Sequence, residues 1–291
     1  MDLANLRDVT FTYAYADSAA LEGVTLHLER GQLYGVVGTN GSGKSTLCSL
    51  LRGLIPHFHK GTVEGTVEIL GRNLADWNPA ELARTIGCVF DNPFTQISGI
   101  KDTVFEEIAF GLENLGVSRS DIVDRVTSIS DRLGITALLP KNPNGLSGGQ
   151  RQKVAFASII AMDAEVLVID EPTSQLDPQS SQAVFEIIAD LKDRGKSIVL
   201  VEHKIDLMAR YADRLVVMHA GKVVAEGPTR EILAAPAVDA ADVPRPEVTD
   251  LAFALESVGK GLGTIPVTRP QAEAAIAARM RGAQVHAHHV A

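Results

Sequence analysis

The period of the apolar positions changes along the chain, and each change predicts a different element. Over the first seventy positions short apolar runs, LRDVTFTY, LEGVTLHLERG, LYGVVG and GTVEGTVEILG, are separated by glycine turns and predict strands. From residue 43 onward short, nearly continuous apolar runs alternate with helical patterns. IGCVF at 86–90, EVLVID at 165–170 and SIVLVEH at 197–203 suit a parallel sheet covered on both faces, where a strand needs no polar side. RLVVMHAGKVVAEG at 214–227 reads as a closing hairpin.

Between the strands at 86–90 and 165–170 the pattern is wholly helical. In DTVFEEIAFGLENLG the apolar residues Val104, Ile108, Leu112 and Leu115 share one face; in SRSDIVDRVTSISDRLG Ile122, Val126, Ile129 and Leu133 do. Ser118 followed by Asp121 suits a helix cap. The chain is thus expected to be an α/β core, residues 1–232, with a helical insertion at about 94–162. The alanine- and proline-rich AAPAVDAADVPRP marks a boundary to a small helical region within 233–291. Its two helices are EVTDLAFALESVG and TRPQAEAAIAARM, the second capped by Thr268 with Gln271 three residues on. The terminal VHAHHVA, with His286, His288 and His289, is assigned no function, and no internal repeat is visible.

Composition adds exclusions. With 45% hydrophobic and 22% charged residues, the 291-residue chain reads as an ordinary globular protein. No apolar run approaches the ~18 residues a membrane span needs, so any membrane role goes through a partner. The start MDLANLRDVTFTY has neither a basic nor an apolar leader region, which predicts a cytoplasmic chain. A net charge of -9 argues against a nucleic-acid partner, which needs a basic face. Cys48, on a helix, and Cys88, in an apolar strand, read as buried free thiols.

The candidate chemistry begins at GTNGSGKST, residues 38–46. It satisfies the phosphate-loop spacing at Gly38, Gly43, Lys44 and Ser45, with a strand before it and a helix after. Glycines there let the backbone of Thr39, Asn40, Gly41, Ser42 and Thr46 approach phosphates; Lys44 reaches the β/γ-phosphates and Ser45 can ligate Mg²⁺. EVLVIDEP delivers Asp170 to the carboxyl end of a buried strand, where it can hold Mg²⁺, and places Glu171 beside it to polarise a water. A second glycine turn, NPNGLSGGQRQK at 142–153, lies far downstream. Ser147 and Gln150 form a capping-box pattern there, so the turn is another positively polarised helix start. It belongs to the helical insertion, out of easy reach of a nucleotide on the first loop. Two chains arranged head to tail, each closing the other's nucleotide, resolve this.

These motifs, in this order, resemble the ATP-binding subunit of ABC transporters over residues 1 to about 230. GTNGSGKST resembles the Walker A motif, LSGGQ (Leu146, Ser147, Gly148, Gly149, Gln150) the signature, and VLVIDE the Walker B strand with Glu171 as catalytic glutamate. Tyr13 resembles the aromatic that stacks on adenine, Asp177 of SQLD the D-loop residue that aligns two sites, and His203 of VEHKID the switch histidine that contacts the γ-phosphate. The resemblance implies a P-loop NTPase core with an N-terminal antiparallel β subdomain, an ATPase using ATP and Mg²⁺, and a second ATPase subunit, the same or similar. VFEEIAFGLENLGVSRSDIVDRV, NPFTQ and the tail PEVTDLAFAL and TIPVTRPQAEAAI are most similar to energy-coupling factor importers. That likeness implies a transmembrane coupling protein, a small substrate-binding membrane protein for a vitamin or transition-metal ion, and a place on the cytoplasmic face of the membrane. The alternatives are the ATPase of another ABC importer class, a soluble ABC ATPase acting on ribosomes or DNA, and a regulatory module without hydrolysis. Against the soluble reading stand the single ATPase half, the short insertion and the acidic charge.

One position departs from the family pattern. Where glutamine would link Mg²⁺ and the attacking water to the membrane partner, VFDNP has Asp91. Aspartate is shorter, adds negative charge near the triphosphate and can ligate Mg²⁺. By this hypothesis Asp91, counted among the catalytic and Mg²⁺ residues with Ser45 and Asp170, either ligates the ion or marks the weaker site of an unequal pair. The Asp91→Gln variant is expected to change ATPase rate, Mg²⁺ dependence or transport; unchanged values of all three remove any special role.

Overall fold

The computed structural model describes residues 2–90, 92–235 and 237–289. β1 (Asp2–Tyr13), β2 (Leu21–Glu29), β4 (Gly61–Ile69) and β5 (Arg72–Asn73) form an antiparallel sheet in the order β2-β1-β4-β5. In β2 the alternation is visible directly: Leu21, Val24, Leu26 and Leu28 are buried while Glu22, Thr25, His27 and Glu29 face solvent.

The second sheet has the order β10-β9-β3-β8-β7-β6, built from β3 (Leu33–Val37), β6 (Ile86–Val89), β7 (Val166–Asp170), β8 (Ser197–Val201), β9 (Arg214–His219) and β10 (Lys222–Pro228). All its pairings are parallel except the β9-β10 hairpin at the edge. β3, β7 and β8 are buried along their whole length, as strands covered on both faces must be.

The covering layers differ. On one face lie α1 (Lys44–Leu51) and the antiparallel sheet, joined with Val36, Val168 and Val201 in one apolar cluster. On the other lie α4 (Val104–Asn114), α5 (Arg119–Arg132), α6 (Gly148–Ala161) and α7 (Pro178–Asp193), packed with Leu33, Ile169 and Leu200. The short α2 (Pro79–Thr85) and α3 (Pro93–Gln96) flank β6, and α8 (Ile205–Tyr211) and α9 (Thr229–Leu233) flank the hairpin.

The insertion follows its apolar stripes with one exception. Val104, Ile108 and Leu112 are fully buried, and Ile122, Val126, Ile129 and Leu133 of the next stripe are buried too. Leu115 is instead 36% exposed, because α4 stops at Asn114 and Leu115 is its C-cap. Thr103 and Glu106 form a full capping box at the start of α4, and Ser118 Oγ accepts from the Asp121 N–H at 3.3 Å.

In the alanine- and proline-rich stretch, α10 (Ala237–Ala240) and the residues after it pack on the core, with Val238, Ala241 and Val243 buried. α11 (Glu247–Ser257) is tied to the chain before α12 (Arg269–His289) by the buried Thr249 hydroxyl, which donates to the Pro266 carbonyl at 2.8 Å. Gln271 reaches back one residue further than a capping box would, accepting from the Val267 N–H at 2.9 Å rather than from Thr268. Cys48 is buried and Cys88 half-buried, and neither is in a disulfide. Burial raises both thiols, Cys88 to about 11, so both stay protonated. Among the described residues no helix is long and apolar enough to cross a membrane.

Candidate active site

The site grows out of strand register. Val36 of β3 and Asp170 of β7 both pair with Val201 of β8, so three parallel strands end side by side. The chain beyond each end, residues 38–46, 171–177 and 202–204, therefore emerges at one edge of the sheet, where open α/β sheets hold ligands.

The glycine-rich loop is clamped by its surroundings. A Cβ on Gly38 would lie 2.3 Å from the Met218 carbonyl oxygen, and one on Gly43, whose φ is +100°, would lie 2.7 Å from that of Ala20. Neither backbone can yield, so only glycine fits. The buried Lys44 opens α1 and its Nζ donates to the carbonyls of Gly38 and Thr39 at 2.8 and 2.9 Å. Burial lowers its ammonium below the ordinary lysine value, while the nearby charges of Glu171 and Asp170 pull it back up. Tyr13, at the end of β1, brings its hydroxyl within 3.2 Å of Thr46 Oγ1, and its ring meets Phe11 edge-on at 4.7 Å. An aromatic edge thus borders the phosphate loop.

Asp170 is 3% exposed, and its charge acts on Lys44 and Cys48 of α1. Glu171 follows with φ +47°, a left-handed conformation that costs a non-glycine residue about 1–2 kcal/mol. Its N–H donates to the Val201 carbonyl at 2.9 Å, and its own carbonyl accepts from Gln152 Nε2 at 2.9 Å. So held, the side chain turns to place Oε1 2.9 Å from His203 Nε2. The preceding Glu202 is buried and accepts from Thr173 Oγ1 at 2.7 Å; burial raises its carboxyl above the usual range.

The donor set suits Mg²⁺. That ion keeps several waters and takes one or two carboxylates plus substrate phosphates rather than an all-protein cage. The Ser45 hydroxyl at the start of α1 and the Asp170 carboxylate on β7, which packs against α1, are oxygen donors of that kind.

The second glycine turn has the predicted cap: Ser147 Oγ accepts from the Gln150 N–H, and Gln150 Oε1 accepts from the Ser147 N–H. Leu146 before it is buried in the core. A Cβ on Gly148 would meet Gln175 Oε1 at 2.3 Å and one on Gly149 the Gln175 carbonyl at 3.0 Å, so the turn sits flush against residues 174–177. Ser147, Gly149 and Gln150 line a pocket of about 290 Å³ together with Gln175, Leu176 and Asp177. Asp177 caps α7, accepting from the Ser180 N–H at 2.9 Å and from its hydroxyl, and these bonds lower its carboxyl below the usual range.

The predicted residues thus fall into two groups. Tyr13, residues 38–46, Asp170, Glu171 and His203 gather at the strand ends; residues 146–150 and Asp177 gather at the start of α6. Segment 171–177 connects them. Asp91 lies outside the described residues. Gln96 is engaged on β6, where it donates to the Cys88 carbonyl at 2.9 Å and accepts from the Phe90 N–H at 3.1 Å.

Sequence reasoning missed Gln152. This residue, 1% exposed, donates to the Glu171 carbonyl and to Ser174 Oγ, and accepts from the Gln175 N–H at 2.9 Å. It ties both groups together. The available signal was its place one turn before the fully buried Phe156, which predicts a buried amide in need of partners.

The ABC transporter family model matches residues 21–174. The chain belongs to the ABC transporter family. It is 40% identical over 233 residues to a putative ABC transporter ATP-binding protein of Pyrococcus abyssi, covering 80% of this chain and 82% of that protein. It is also 40% identical over 233 residues to the energy-coupling factor transporter ATP-binding protein EcfA1 of Bacillus subtilis, covering 79% of this chain and 80% of that one. Among solved structures, cbiO1 from Clostridium perfringens, part of the ABC transporter complex cbiONQ, superposes with TM-score 0.69 at 28% identity, over 89% of this chain and 97% of that one. A dimeric ATP-binding cassette bound to ADP and Pi in a post-hydrolysis state superposes with TM-score 0.68 at 28% identity, over 78% of this chain and 99% of that one. The fold is that of an ABC cassette, and the chain is an ATP-hydrolysing transporter subunit.

Replacing Gln152 by leucine leaves the part-buried Glu171 carbonyl and Gln175 N–H without that partner. The Gln152→Leu variant is expected to lose about 1–2 kcal/mol of stability in urea unfolding. A loss below about 0.5 kcal/mol contradicts the bridging role.

Proposed function

We propose that this ABC ATPase drives an importer of the energy-coupling factor type by hydrolysing ATP in a head-to-tail pair of cassettes. The observation that carries the hydrolytic part is the 2.9 Å contact of Glu171 with His203, beside Lys44 and Asp170 at one strand edge.

In this reading the Lys44 ammonium leaves the loop carbonyls for the β/γ-phosphates. The backbone of Gly38–Thr46 cradles them, and Tyr13 stacks on adenine. Ser45 and Asp170 hold Mg²⁺, with Asp91 a further candidate ligand; when bound, the ion neutralises phosphate charge. Glu171 orients the attacking water and takes its proton. His203, held by the Glu171 carboxylate, contacts the γ-phosphate and keeps that carboxylate aimed. Ser147, Gly148, Gly149 and Gln150 of one chain, with the positive start of α6, bind the γ-phosphate held by the partner's loop, and Asp177 aligns the two sites.

The importer type rests on the likeness to EcfA1 over most of both chains and to cbiO1. In this reading a second ATPase subunit pairs with this one on the cytoplasmic face of the membrane. Opening and closing of the pair moves a transmembrane coupling protein that holds a small substrate-binding membrane protein. The cargo is a micronutrient, a vitamin or a transition-metal ion.

Glu171→Gln is expected to keep ATP affinity within about threefold and to cut turnover by at least about 100-fold, the scale of a lost general base. Retention of more than about a tenth of the turnover removes Glu171 from that role. Mild-detergent purification of the tagged chain from its native membranes is expected to bring down a coupling-type membrane protein with a small partner. Recovery of a periplasmic-binding-protein importer instead contradicts the type.

A further inference from the structure

Three consecutive residues beyond β8 each grip a different part of the segment that follows β7. Glu202 accepts from the Thr173 hydroxyl, His203 meets the Glu171 carboxylate, and Lys204 reaches furthest. Its Nζ donates to the Thr173 carbonyl at 3.0 Å, to the Leu176 carbonyl at 3.4 Å and to Ser181 Oγ at 2.5 Å.

We propose that Lys204 is a positioning residue that locks residues 173–177 to the backbone carrying His203, so that a shift of His203 is transmitted to Asp177 and hence to the opposite site of the pair. The proposal rests on the reading of Glu171, His203 and Asp177 given above.

An ammonium has three donors, and here they find three oxygens, two of them backbone carbonyls inside the 173–177 turn. Hydrogen bonds from a charged donor are about twice as strong as neutral ones. Ser181 adds a second anchor, since its hydroxyl also faces the Asp177 carbonyl at 2.9 Å at the start of α7. Gln152 holds the same turn from α6, through the Gln175 N–H and Ser174 Oγ. The turn is thus gripped from two elements. Two of the grips are covalently next to the histidine, Glu202 through the Thr173 hydroxyl and Lys204, and of these only Lys204 reaches the backbone of the turn as far as Leu176. Displacing the chain at residues 203–204, beyond the ladder, by a fraction of an ångström therefore either stretches the Lys204 bonds or moves the turn with it.

The test uses the full chain with Lys204→Met, which keeps the apolar stem and removes the donors, and Lys204→Arg, which restores donors. For Lys204→Met the proposal expects kcat to fall about tenfold with KM for ATP within about twofold, and Lys204→Arg to keep at least about half the rate. In the Glu171→Gln background, where turnover is blocked, Lys204→Met is expected to weaken ATP-driven pairing in sedimentation about fivefold or more, because residues 174–177 lie beside the signature turn. A Lys204→Met chain with kcat within twofold of the wild type overturns the proposal. So does one whose lost rate follows a matching loss of ATP binding, which marks Lys204 as a support of the fold alone. Parallel assay of Glu171→Gln separates the two failures: turnover retained there removes the site reading itself, whereas its absence with Lys204→Met unaffected removes only the coupling.

Discussion

Everything at the candidate site depends on one register. Because Val36 and Asp170 both pair with Val201, the ends of β3, β7 and β8 cannot move apart without breaking a parallel ladder that is buried on both faces. The phosphate loop, the two carboxylates and the histidine are then fixed by backbone hydrogen bonds rather than by long side chains. Such placement suits chemistry that consists mainly of holding phosphates and a water in line.

A second constraint sits on top of the first. The strained Glu171 backbone costs stability, and it persists because Val201 and Gln152 hold it from two sides while His203 receives its carboxylate. From there the chain runs directly under the signature turn, whose glycines leave room for the Gln175 side chain at Gly148 and a close approach of its carbonyl at Gly149. The same short segment touches Glu171 and His203 at one end and the start of α6 at the other. In the proposed pair, that economy would let a nucleotide on one chain influence the other.

Much of this was legible in the sequence because the motifs are local. A phosphate loop, a strand ending in Asp170 and Glu171, and a capping box at Ser147 each show within ten residues. Residues that act on distant backbone were not legible: Gln152 and Lys204 bind carbonyls and N–H groups of residues 171–176, and a backbone acceptor leaves no trace in residue identity. The Tyr13 contact with Thr46 spans 33 positions and became visible only with the fold, although the aromatic itself was singled out. Leu115 failed for a smaller reason, the end of α4 one residue short of it, and Gln271 because its side chain accepts from the Val267 N–H rather than from Thr268. Asp91 remains a reading of sequence alone.

The central claim is that a complete site takes its phosphate loop from one chain and its signature turn from another. Mixing two inactive chains tests it most directly: Lys44→Ala, with a broken loop and an intact signature, and Ser147→Arg, with the reverse. Random pairing makes half of the dimers mixed, each with one complete site, so the account predicts recovery of up to about a quarter of the wild-type ATPase rate. A mixture no more active than the two variants apart would mean that each chain closes its own nucleotide, and the head-to-tail account would fail.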